Sequence, residues 1–195
     1  MADSAIIDLS KLEILDLVSM AKGGKTAAMG YGAQGKAFWQ ATDMEVVFEP
    51  GTFSGEEASR VNLVARPGPE AKAQLEALDE WLVPLLSKHS DRLMGKYMTQ
   101  SDIKAIYIPA LKASKQYEPT VKFKLNLTGK QAVRVWGSDK ALRDQPQKWM
   151  GLRATLRVHL KGIYIMNRSV GCILDVTDVM VDGDGAERAQ ICPFA

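Results

Sequence analysis

The 195-residue chain is short of the groups that metal sites and disulfide frameworks need. It has two cysteines, Cys172 and Cys192, with no CxxC pair, and two histidines, His89 and His159, distant in sequence from either thiol. That spacing argues against a structural zinc site, and so few cysteines suit a reducing, cytoplasmic setting. No stretch reaches the roughly 18 apolar residues of a membrane span, and MADSAIIDLSKLEILDLV lacks the basic start and apolar run of a signal peptide. Catalytic groups are sparse as well. Neither histidine has a Ser, Cys or carboxylate that the sequence places beside it. Asp175, Asp178, Asp182 and Asp184 straddle a strand and a tail, with too few fixed oxygens for a calcium loop. The expectation is a protein with no catalysis, no cofactor and no metal.

What is present is ordinary in amount and unusual in distribution. Hydrophobic residues make up 46% and charged residues 25%, which suits one folded domain of this length. The net charge of +2 hides a division: from Arg92 to Arg168 there are 16 Lys and Arg against 4 Asp and Glu. That block carries +12 and the rest −10. A field of this sign and size attracts polyanions from beyond a Debye length.

Leu9, Leu12, Leu15 or Ile14, and Val18 recur at spacings of three and four, which predicts an amphipathic helix over residues 8 to 21, with Ser10 and Glu13 as a capping box. A glycine-rich linker follows to residue 35. FWQATDMEVVFEP (38 to 50) and RVNLVAR (60 to 66) read as strands. Leu75, Leu78, Leu82 and Leu85 predict a helix from about Glu70 to Leu93 that Pro84 kinks or splits. IKAIYIPALK (103 to 112) reads as a short strand or extended loop. Further strands are expected at 120 to 127, 132 to 136, 152 to 167 and 171 to 181, before a tail from Asp182. The resulting fold class is mainly β: an antiparallel barrel or sandwich of the α+β or all-β kind with an inserted helix.

Two phosphate-loop lookalikes fail on context. Gly24-Lys25-Thr26 ends like a P-loop, but Ser19 stands where its first glycine is required. Gly30, Gly32 and Gly35 fit G-x-G-x-x-G with no strand leading in and no helix following, so no helix N-terminus awaits a phosphate.

PTVKFKLNLTGKQAVRVWG (119 to 137) carries the sharper signal. Alternation sends Val121, Phe123 and Leu125 to one face and Lys122 and Lys124 to the other, and after a turn Arg134 and Trp136 join the outer side. In the long strand, Arg153, Arg157, His159 and Lys161 point outward in the same way. A merely solvated sheet mixes signs, because like charges on neighbouring strands repel. This row hardly mixes them. Seven of the chain's 14 aromatics also fall in the basic block, among them Tyr107, Tyr117, Trp136 and Tyr164. Cations interleaved with rings are what single-strand binding requires.

The order RVNLVARPGPEAKAQLEALDEWLV, PTVKFKLNL, LRVHLKGIYIMNRSVGCILDVTDVMV resembles the single-stranded DNA-binding proteins of short-tailed bacteriophages. Lys122 and Lys124 in VKFKL match that family's paired strand lysines, and Tyr164, Asn167, Val170 and Gly171 match its last hairpin. The resemblance implies an oligonucleotide-binding (OB) barrel over 36–181, non-sequence-specific binding of single-stranded DNA, and service in DNA replication, recombination and repair. It further implies replication proteins such as a DNA polymerase as partners, a homodimer, and the host cell cytoplasm as location. Two departures stand out: the helix at residues 8 to 21, within an N-terminal segment 1–35 whose glycine-rich part is itself similar to the family, and a tail over 182–195 with only Asp182, Asp184 and Glu187 against Arg188. On this reading Lys122, Lys124, Arg134, Arg153, Arg157 and Lys161 neutralise phosphates. Trp136 and Tyr164 stack on bases, with Tyr107 and Tyr117 as further rings. A virion β-sandwich with a basic face toward nucleic acid, or an RNA-binding OB protein, stands as the alternative.

Overall fold

Alternating burial makes the strands of this protein. In Thr120–Asn126, Val121, Phe123 and Leu125 are at most 1% exposed, while Lys122 and Lys124 between them face solvent. A computed structural model describes residues 7–20, 23–33, 35–52, 59–113 and 115–181. In chain order these hold β1 (Leu12–Ser19), β2 (Lys25–Tyr31), β3 (Ala37–Val46), β4 (Arg60–Arg66), α1 (Pro69–Lys88), α2 (Ser90–Met94) and α3 (Gln100–Ile106). There follow β5 (Tyr107–Ile108), β6 (Leu111–Lys112), β7 (Thr120–Asn126), β8 (Arg134–Trp136), β9 (Leu142–Arg143), β10 (Arg153–Met166) and β11 (Ser169–Val181). The tail expected from Asp182 lies outside the described residues.

Five strands close into a ring. β3 pairs antiparallel with β4 and with β10, β4 pairs with β7, β7 runs parallel to β11, and β11 returns antiparallel to β10. Counted along the chain, the ring order is first, second, third, fifth, fourth, with the third and fifth parallel. This is an OB-type barrel, and its closure replaces the sandwich. Its interior is packed by Trp39, Phe123, Leu63 and Leu156, with Ala37, Ala41, Ala65 and Ala154 making room for the large rings. The register shifts within β10, at Ala154/Leu156, Arg157/Val158 and Leu160/Gly162, supply the bends that closure of so small a ring demands.

Helix α1 is inserted between β4 and β7. Gly68 precedes it, Pro69 opens it where a missing N–H costs nothing, and Ala71, Leu75, Leu78, Leu82 and Leu86 form its buried stripe. The helix runs unbroken through Pro84, and the span predicted to reach Leu93 divides instead at His89, between α1 and α2. Pro84 lies on the exposed side, where water can take the carbonyl it leaves unbonded.

Several expectations are corrected. The predicted helix over 8 to 21 is a 3-10 turn followed by β1. Leu12 and Ile14 are buried two apart, then a bulge between Ile14 and Leu17 re-phases the strand. Spacings stretched by an inserted residue imitate a helical period. The capping box does not form either: Ser10 donates its N–H and hydroxyl to Asp8 instead, at 3.1 and 2.6 Å. The glycine-rich linker is mostly β2, which pairs with both β1 and β10 and so widens the sheet. Gly24, Gly30 and Gly35 allow close packing, Gly30 under the Leu15 side chain, whereas Gly23 and Gly32 take left-handed φ values. Finally, residues 100 to 106 are helical because Thr99 and Asp102 form a capping box there, and only then does the chain extend into β5. Nor do β7 and β8 make a hairpin, since both lie along β11 in succession.

The outer edge of β1 is guarded at its bulge, where Arg92 of α2 donates to the Ile14 and Leu15 carbonyls at 2.7 and 3.1 Å.

Gly162, where β10 crosses β2, has no room for a side chain, since a methyl would strike the Ala27 carbonyl. Gly162→Ala is expected to cost roughly 1 to 3 kcal/mol, seen as a lowered Tm in thermal unfolding. Gly51→Ala, whose added methyl would meet only the Glu49 carbonyl at 3.9 Å, leaves the Tm unchanged.

Candidate nucleic-acid interface

The outward residues of β4, β7, β10 and β11 form one continuous surface. Lys124 lies opposite Asn62 on β4 and Asp175 on β11, and Lys122 lies opposite Val64. Lys124 donates to Asn62 Oδ1 at 2.8 Å. Its pKa is pulled down, first by partial burial and then by the charges of Arg60 and Lys122. Arg60 and Lys161 approach the surface from either side, and both donate to Asp175, at 2.6 and 3.3 Å.

Three residues on along β11, Asp178 is the most heavily bonded carboxylate of the site. It is 8% exposed. Arg134 grips it with Nε at 2.7 Å and Nη2 at 3.0 Å, Trp136 donates its indole N–H at 3.0 Å, Thr177 its hydroxyl at 2.9 Å, and Arg157 lies 3.5 Å away. Burial pushes the Asp178 pKa up, but the donors from Arg134, Trp136 and Thr177 outweigh it and leave it below the usual aspartate value.

These two aspartates correct the reading of a face of one sign. In the sequence Asp175 and Asp178 are weighed only as metal ligands, yet the extra residue of β11 opposite Arg157/Val158 and the strand's alternation turn both outward among the cations. Arg134, Arg157 and Lys161 therefore belong to the surface as members of ion pairs. Lys122 and Lys124 are on it and exposed. Arg153 is set apart, four residues back along β10, in a 2.7 Å ion pair with Asp43.

The rings divide in the same way. Trp136 is half-buried with its N–H bound to Asp178 and the Arg134 guanidinium 5.7 Å from its ring centre. Tyr164 pairs with Gly171 across β10 and β11 and is half-buried over it, since a methyl there would meet its ring and hydroxyl. Alternation puts Tyr164 on the same side of β10–β11 as Ile173 and Asp175. Tyr107 does not join them. It lies opposite Val170, on the inner side, and its hydroxyl donates to Asp79 of α1 at 2.6 Å. Asp79 also accepts the N–H groups of Ala110 and Leu111, so this tyrosine ties α1 to the barrel. Tyr117 is 74% exposed just before β7.

One aromatic feature escapes the sequence reading. Phe38 and His159, opposite each other on β3 and β10, stack with centroids 4.7 Å apart, and the Arg157 guanidinium lies 3.8 Å from the Phe38 centroid. The signal was present in FWQ, because sending Trp39 into the barrel obliges Phe38 to face out. The His159 pKa is lowered, first by burial and then by Lys36, Lys161 and Arg157, with Asp175 opposing them. Arg60 was likewise missed, lying in a strand read only for its apolar residues. Among the described residues no group of three or more metal-ligating side chains gathers.

No protein family and no curated protein matches the chain. Solved structures align over most of it, and two of them are bacteriophage proteins. One is gp2.5, a single-stranded DNA binding protein encoded by bacteriophage T7, with 12% identity, 80% of this chain and 94% of that one covered, and a TM-score of 0.49. The other is the single-stranded DNA-binding protein from bacteriophage Enc34 in complex with ssDNA, with 10% identity, coverage of 87% and 96%, and a TM-score of 0.47.

Because its folded pKa lies below the ordinary 3.8, Asp178 contributes stability at neutral pH that is lost as the pH falls through that lowered value. Asp178→Ala should therefore destabilise the protein at pH 7 by about 1.5 to 3 kcal/mol, the worth of hydrogen bonds to a charged group. Denaturant unfolding at pH 7 and near pH 3 checks this: the gap between variant and wild type narrows in acid.

Proposed function

We propose that the protein binds single-stranded DNA without sequence preference, along the outer face of β4, β7, β11 and β10. The observation that carries this reading is the merging of Lys122 and Lys124 with the cations around Asp175 and Asp178 into one surface, on a barrel whose second and third strands are β4 and β7. In OB barrels that face takes oligonucleotides. Lys122 and Lys124 follow the phosphates, with Arg134, Arg157 and Lys161 shaping the field beside them and Arg153 at its far end. Trp136 and Tyr164 offer rings to unpaired bases, and exposed Tyr117 extends the set. Stacking on such rings is indifferent to base identity, and it requires bases that a duplex keeps stacked on one another.

The role is binding and protection in phage-type DNA replication, recombination and repair in the host cytoplasm, without catalysis. Replication proteins such as a DNA polymerase, and a second copy of the chain, are the partners this role calls for.

Fluorescence anisotropy with labelled single-stranded DNA, duplex DNA and RNA over a salt series tests the reading. Single-stranded DNA should bind most tightly, with log K falling linearly with log salt. The double variant Lys122→Ala, Lys124→Ala should flatten that slope by up to about 1.4, at roughly 0.7 per phosphate on a single strand. Trp136→Ala or Tyr164→Ala should cost about 1 to 3 kcal/mol of binding. Failure to bind single strands at low salt, or equal affinity for the duplex, would overturn the proposal; tighter binding of RNA would move it to the RNA-binding alternative.

A further inference from the structure

Around Asp175 and Asp178 the surface gathers Arg60, Lys122, Lys124, Arg134, Arg157 and Lys161, and Arg60, Lys161, Arg134 and Arg157 are already bonded to one of these two carboxylates. The arrangement around Asp178 is that of an anion site with its anion built in: a two-point guanidinium grip, an indole N–H, a hydroxyl and a second guanidinium. Asp175, held by Arg60 and Lys161, repeats it with fewer donors. Lys124 differs in kind, because its hydrogen-bond partner Asn62 is uncharged, while Asp175, opposite it, is bonded to Arg60 and Lys161.

We propose that Asp175 and Asp178 are internal stand-ins for phosphate, which hold these cations in place and withhold part of their charge from a bound strand. The inference rests on the single-strand reading above and refines it by sorting the cations into two kinds. Lys124 meets a phosphate with no carboxylate bonded to it. Lys161 and Arg60 share theirs with Asp175, so a strand must compete with a carboxylate for them and releases fewer counterions by contacting them. The aspartates thereby limit affinity and moderate its dependence on salt. A face meant to hold a strand as tightly as its cations allow would have no use for carboxylates in its midst, and like-charge repulsion among the cations is what those carboxylates relieve in the unbound protein.

Asp175 offers the cleaner test, since Asp178 also anchors Trp136. Anisotropy titrations with a labelled single-stranded oligonucleotide, at several salt concentrations, compare wild type with Asp175→Asn and Asp175→Glu. Asp175→Asn is expected to bind about 2- to 5-fold tighter, the worth of one exposed ion pair. Its salt slope should be steeper by about 0.7 to 1.4, one or two phosphates' worth. Asp175→Glu restores the wild-type slope. A folded Asp175→Asn protein, checked by circular dichroism, with unchanged or weaker binding overturns the inference. Should Asp175→Asn not fold, the exposed lysines decide: Lys124→Gln should lower the slope by about 0.7 and Lys161→Gln by less than half of that. Equal losses would likewise overturn it. Absence of any binding by the wild type would instead defeat the single-strand reading itself, so the two failures are distinguishable.

Discussion

Strand β11 is the element on which the rest of the structure depends. It pairs antiparallel with β10 along nearly its whole length and parallel with β5, β7 and β8 in turn on its other side. Without the parallel contact to β7, the ring has no closure and the interior around Trp39 and Phe123 opens to water. Parallel pairing needs a long crossover, and the chain supplies it by passing from β7 through β8, β9 and the whole of β10 before β11 begins. The same strand carries Asp175 and Asp178, so the backbone that closes the barrel also places the carboxylates that organise its charged face.

Close approach is the second constraint. Where β10 leaves the ring and continues beside β2, Gly162 lets the Ala27 carbonyl come near, and Gly171 lets the Tyr164 ring lie across the neighbouring strand. Each glycine is used for the space it does not fill.

Charge and structure are interwoven in the basic block. Arg92, counted at its beginning, is spent on the edge of β1, and Arg143 bonds Asp139 within the β8–β9 turn. Arg153 is paired with Asp43. A sum of sixteen basic residues therefore overstates what a ligand meets, although the sign of the surface around Lys122 and Lys124 is as the sum implies.

Much was legible in the sequence, and the reason is locality. Period-two alternation is a property of consecutive residues, so β3, β4, β7, β10 and β11, the burial of Phe123 and the outward set of Lys122, Lys124, Arg134 and Arg157 all follow from reading the chain in order. The 3.6-residue spacing of leucines marks α1 by the same logic. Tertiary structure decided what depends on distant partners. The segment at Leu12–Ser19 is a strand because β2 and β10 give it a sheet to join, and its bulge had disguised the period. Tyr107 turns inward because Asp79, in α1, accepts its hydroxyl. Asp175 and Asp178 meet Arg60, Lys161, Arg134 and Arg157 only once the ring has closed. Ion pairing across 14 to 115 positions of chain leaves no trace in local pattern, whereas alternation does.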